Sequence, residues 1–196
     1  MRLLLAFSLI CILTGCHHYK SDSRNGVRVL PDTTIDEDTH FFPVTSYIKG
    51  QMFEIRDKGV NPLKYTTVQG HTDSVWLKLT DLEPAMHEFL TPVIDTANMS
   101  KLFKETRFLD QSINAYSFTY EPFKQLPDSI TIRHWDVYID PETNKVKRVY
   151  IIKELPGNKI LQLTWVGGKW CKIVTIATHA GGITSIEKEE RIIWDF

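Results

Sequence analysis

Cysteine is nearly missing from this chain: three occur in 196 residues, and only Cys171 lies beyond position 16. A lone thiol excludes a disulfide framework, so stability has to come from a buried core. Glycine and proline are also sparse, at ten and nine, which excludes collagen-like and low-complexity architectures. Neither sign of charge dominates, with 23 Lys and Arg against 24 Asp and Glu. That balance gives no long-range pull toward nucleic acid, and no nucleic-acid partner is expected. After residue 13 no apolar run reaches membrane-spanning length, and no Gly-x-Ser-x-Gly, phosphate-cradling loop or Cys-x-x-Cys occurs. No catalytic class is announced by motif.

What is present begins at the N-terminus. Arg2 supplies a positive charge, and residues 3–13 form an apolar run interrupted only by Ser8 and Cys11. The run is shorter than the ~20 residues a bilayer requires, so it reads as the apolar region of a secretory signal. The Leu13-Thr14-Gly15-Cys16 that ends it resembles the lipobox of bacterial lipoproteins, as found in Bacteroidetes-type envelope lipoproteins. The resemblance implies that residues 1–16 hold a lipoprotein signal peptide and that the Cys16 thiol is diacylglycerated. It also implies cleavage just before Cys16 and acylation of the new amine. Each buried methylene contributes ~0.8 kcal/mol, so one acyl chain anchors marginally, whereas two or three make escape very slow.

Residues 17–40 are polar and aperiodic, with an acidic cluster at Asp36, Glu37 and Asp38, and read as a flexible tether. Some lipoproteins of the resembling class reach the cell surface through acids close behind the cysteine, but here Asp22 stands alone. His17 also differs from the aspartate that retains lipoproteins in the proteobacterial inner membrane. The expected location is therefore the outer membrane, facing the periplasm. His17 and His18 lack neighbouring carboxylate or thiolate partners and read as solvated; no metal or cofactor is expected.

Residues 41–196 are expected to form a single α+β domain, with two or three N-terminal helices and a β-hairpin packed on a C-terminal antiparallel meander. After Pro43, Ile48, Met52 and Ile55 recur at helical spacing, and Gly59 with Asn61-Pro62 ends the helix. A hairpin follows over 63–68 and 74–79. Thr80-Asp81-Leu82-Glu83 matches a capping box and predicts a helix burying Leu82, Met86, Phe89 and Leu90, with Pro92 breaking it. A further helical turn is expected within 94–102. Strands are predicted at 107–111, 115–120, 129–139, 146–155, 160–166, 170–178 and 183–194. The short turns between the last five permit antiparallel pairing and exclude helical crossovers. Several strands are apolar on both faces: Trp135, Val137 and Ile139 oppose Ile130, Ile132 and Tyr138, and Val149 and Ile151 oppose Val146, Tyr150 and Ile152. Both sides of the sheet are thus expected to be covered, one by helices and the other by curl, ligand or partner.

Alternation in 110–122 places Tyr116, Phe118 and Tyr120 on one face, beside a turn bearing Asn114 and Asp110. These five are the candidate lining of a cleft for an apolar ligand or a sugar ring. The competing reading is a half-buried strand packing its aromatics on the helices. His134 and Asp136 share one strand face, as an acid–base pair or a solvated polar pair. His87-Glu88 lacks the second histidine of a zinc-protease motif, since position 91 is threonine. His71 and Asp73 read as turn residues, and Cys171 as a buried small hydrophobe. The leading expectation is a lipid-anchored, non-catalytic envelope protein that binds an apolar or small-molecule ligand or an outer-membrane partner. Its rival is a periplasmic hydrolase or other small-molecule enzyme in which His134, Asp136, Asp110 and Tyr116 converge in one cleft. A third class, a structural or adhesive lipoprotein, has a broad apolar patch and no pocket. Replacing Cys16 by serine in the full chain is expected to abolish signal processing and release the protein from membranes. Unchanged processing and sedimentation would remove the anchor.

Overall fold

The computed structural model describes residues 41–195; the expected signal, Cys16 and the tether lie outside them. Helix α1 spans Val44–Asp57. Val44, Ile48, Met52 and Ile55 make its buried stripe. Gly59, with φ +65°, ends it by donating to the Arg56 carbonyl at 3.0 Å.

Nine strands form one antiparallel sheet: β1 Leu63–Val68, β2 His71–Trp76, β3 Phe103–Asp110, β4 Ala115–Pro122, β5 Ile132–Ile139, β6 Val146–Leu155, β7 Lys159–Val166, β8 Trp170–Thr178 and β9 Thr184–Ile193. Their order is β2-β1-β9-β8-β7-β6-β5-β4-β3. From β3 to β9 the strands lie in chain order, as the short turns require. The hairpin β1–β2 is part of this sheet, because β1 pairs along its length with β9. The β7–β8 turn demands glycine: a Cβ on Gly167 would come within 2.4 Å of the Val146 carbonyl oxygen.

Residues 77–102 depart from expectation. In place of the capped helix there is one four-residue helix, α2 Leu82–Ala85, with 3₁₀ turns at Leu79–Asp81 and His87–Phe89, whereas the further turn expected within 94–102 forms as α3 Thr96–Met99. The Thr80 hydroxyl turns to Asp81 Oδ1 at 3.2 Å, and Glu83 reaches Arg56 at 3.6 Å, so the capping box does not form. Asp95 caps α3 instead, accepting from Asn98 N at 2.9 Å.

This segment and α1 cover one sheet face. Trp135, Val137, Val149, Ile151, Leu163 and Trp165 are fully buried there against Ile48, Leu82, Met86, Phe89, Ile94 and Met99. Thr45 ties the two covering pieces together, its hydroxyl accepting from Ile94 N at 2.9 Å. Lys153 lies on the same face with 2% exposure. Its ammonium donates to the carbonyls of Glu88 and Thr91 and, at 2.9 Å, to Glu88 Oε2. Burial pulls its pKa below the ordinary lysine value, and Glu88 opposes the shift. Ile132, expected on the far face, joins this core because the β5–β6 register shifts between Ile132 and His134.

The expectation that both faces are covered is corrected. Along β7, Leu161, Leu163 and Trp165 are buried, while Ile160, Gln162, Thr164 and Val166 stay partly exposed. β6 alternates in the same sense. The described residues place no helix over this second face. Lys153→Met, which keeps the volume and removes the three donors, is expected to cost about 3 kcal/mol in urea unfolding, because carbonyls of the covering segment lose their partner. A loss under about 1 kcal/mol would show that Lys153 does not hold that segment.

Candidate functional site

Pairing registers assemble the open face. Thr119, Asp136, Tyr150, Thr164, Lys172, Arg191 and Tyr65 stand opposite one another in successive strands from β4 to β1. Beside them runs a second row of Tyr138, Arg148, Val166, Trp170 and Ile193. Backbone groups are consumed by the ladders, so side chains are what this face presents.

Asp136 is the hub at one side. Its Oδ1 accepts from the Thr119 hydroxyl at 2.7 Å, and its Oδ2 meets His134 Nε2 at 2.9 Å and the Tyr138 hydroxyl at 3.3 Å. Burial alone would raise the carboxyl pKa, but the hydrogen bonds from His134 and Thr119 and the imidazole charge hold it below its ordinary value. The same hydrogen bond raises His134, against the pull of burial, with the charges of Asp136 and Glu121 adding to it. The i, i+2 pair read from sequence is therefore brought together.

Two arginines lie over aromatic rings. The Arg148 guanidinium sits 4.3 Å from the Tyr138 ring centre, and that of Arg191 4.9 Å from Trp170. Lys172 is 3.6 Å from Glu189. Sequence reasoning missed these residues. Arg148 meets Tyr138 directly across β5–β6, whereas Arg191 reaches Trp170 diagonally from opposite Lys172. Such neighbours emerge only when strands are placed in register.

The five residues proposed for a cleft do not converge. Tyr116, Phe118 and Tyr120 point to the covered face. Tyr120 is fully buried, stacked on Trp135 at 4.5 Å and accepting from Phe42 N at 3.0 Å. Phe118 packs on the core with Arg107 5.5 Å away, and Tyr116 is half-buried opposite Ile139. Asn114, at φ +46°, and Asp110 shape the β3–β4 turn. Asp110 Oδ1 accepts from Ser112 N at 2.9 Å, and the bonds from Ser112 lower its pKa. Asp110 and Tyr116 thus stand apart from His134 and Asp136, and the convergence required of the enzyme reading is not met. Ser117, on the same face as Asp136, is 1% exposed and its hydroxyl has no partner among the described residues. Cys171 is fully buried, and burial pushes its thiol far up in pKa.

Grooves also border the covered side. One, of about 850 Å³, is lined by Lys64, Glu83, His87, Glu88, Lys188 and Glu190; there Glu190 pairs with Lys64 at 2.6 Å and Lys188 at 2.9 Å. Another, of about 800 Å³, lies between α1 and the 140–147 and 166–169 turns. Among the described residues no group of three His, Cys, Asp or Glu is placed to hold a metal, and no helix is long and apolar enough to cross a membrane. No family model, curated protein or solved structure matches the chain.

His134 supplies a pH test. Its raised pKa gives stabilisation that is complete below the unfolded value of about 6.5 and is lost as pH rises through the folded value. Asp136 acts in the opposite range, losing its contribution as pH falls through its lowered pKa. The unfolding free energy of the native chain is expected to drop as pH rises from about 6.5 through the raised His134 value, and Asp136→Asn to flatten that drop. Equal slopes in both proteins would dissolve the pair.

Proposed function

We propose that this chain is a lipid-anchored envelope protein that works by binding, and that its open sheet face receives an outer-membrane partner. One observation carries the reading: a nine-stranded sheet with a complete core on one face and aromatic, aliphatic and arginine side chains left accessible on the other. Tyr, Trp and Arg are the residue types that dominate binding energy at protein interfaces. An enclosed apolar ligand is the weaker version, since Trp135, Trp165, Tyr120, Phe89 and Phe103 fill the space between sheet and helices. The lipobox resemblance supports the anchor, and His17 with the sparse acids behind Cys16 supports the outer membrane as its location. The tether supplies a reach of up to ~3.4 Å per residue when extended.

A photoreactive phenylalanine analogue placed at Thr164, mid-face on β7, tests this in cells producing the full chain. An adduct is expected from Thr164 and not from Phe53, which is 68% exposed on α1. No adduct from Thr164, or equal yields from both positions, would reject the open face as the binding surface.

A further inference from the structure

We propose that the partner is a protein with an acidic patch, seated on Arg148 and Arg191; this rests on the reading of the open face as the binding surface. Charge complementarity points to this partner. Three carboxylates of this face are engaged, Asp136 by His134, Glu189 by Lys172 at 3.6 Å, and Glu154 by Arg133 at 2.7 Å, while Glu121 lies at the β4 side, where its charge acts on His134. Arg148 and Arg191 are exposed, and neither forms an ion pair with a carboxylate among the described residues. Arg148 stands over the Tyr138 ring and also hydrogen-bonds its hydroxyl, and Arg191 stands over Trp170; with five N–H donors each, both guanidinia keep donors for a carboxylate. They stand three strands apart, ~14 Å at ~4.8 Å per strand, so two separate carboxylates are read and not one small anion.

Surroundings and size select the class of partner. Ile152 and Gln162 stand in the adjoining row beside the buried Val174, and Ile160 and Ile176 in the next. Aliphatic β-branched surface of this kind is matched by another protein's side chains, whereas a hydroxyl-rich glycan gains little from it. Nine strands at ~4.8 Å, each with several residues at ~3.4 Å, present on the order of 1,000 Å². That exceeds the ~800 Å² per partner of a standard interface.

The test compares the Thr164 adduct in three full-length backgrounds: native, Arg148→Glu with Arg191→Glu, and Arg148→Lys with Arg191→Lys. The expected result is a protease-sensitive adduct that falls about tenfold or more on double reversal. The lysine pair should keep most of it, with matching melting temperatures for all three proteins. An undiminished adduct in the glutamate pair overturns the acidic-patch proposal and leaves the binding face standing. A protease-resistant adduct, or one that is glycan or lipid, overturns the partner class. If the glutamate pair melts early, dependence of the native adduct on salt decides: a yield unchanged between about 0.05 and 0.5 M salt is the overturning result.

Discussion

Everything on the covered side depends on how the irregular 77–102 segment satisfies its main chain once buried. A regular helix would close its own hydrogen bonds, but α2 and the neighbouring 3₁₀ turns are each a single turn or less. Carbonyls near Glu88 and Thr91 therefore face the sheet, where an unpaired acceptor is costly. Lys153 answers from β6 with three donors for three acceptors. That contact holds Phe89 edge-on against Trp165 at 5.4 Å. A buried charge is a weak stabiliser by itself; its value here is in specifying where the segment lies.

Which parts were legible follows from the range of the forces involved. β6 and β8 begin and end where sequence placed them, because Gly157, Asn158 and Gly168 take left-handed backbone in the turns between strands. α1 and its Gly59 ending were local too. The helix expected from Thr80 failed for a non-local reason. Its capping pattern was present, but the chain there is shaped by Lys153 and by Thr45, 62 and 49 residues away from their partners Thr91 and Ile94. The shift beside Arg133 likewise carried Ile132 to the other face, and strict alternation has no means of showing a bulge. At the site, His134 and Asp136 were readable as near neighbours on one strand, whereas the Arg148–Tyr138 and Arg191–Trp170 contacts needed the registers.

Apolar residues on both faces of β5 and β6 were read as a sign of double cover, and the chain supplies one cover only. Two elements explain the shortfall. α1 lies on the same side as the 77–102 segment, and the hairpin that follows α1 in sequence extends the sheet sideways through β9. No segment between 41 and 195 is left to cross to the other face. Apolar patterning without an internal partner is the physical basis for placing recognition on that face.

Such a face has to survive in water before it is occupied. The two cation–π contacts contribute to both states. Free, each guanidinium shields part of a ring while keeping its own edge hydrated, so Tyr138 and Trp170 expose less apolar surface than an unaccompanied pair would. Bound to carboxylates, the same arginines are already held in place, and less side-chain entropy is lost on docking than for freely rotating cations. On the proposed reading, the same two contacts thus cover apolar rings in the free protein and present positive charge to a partner.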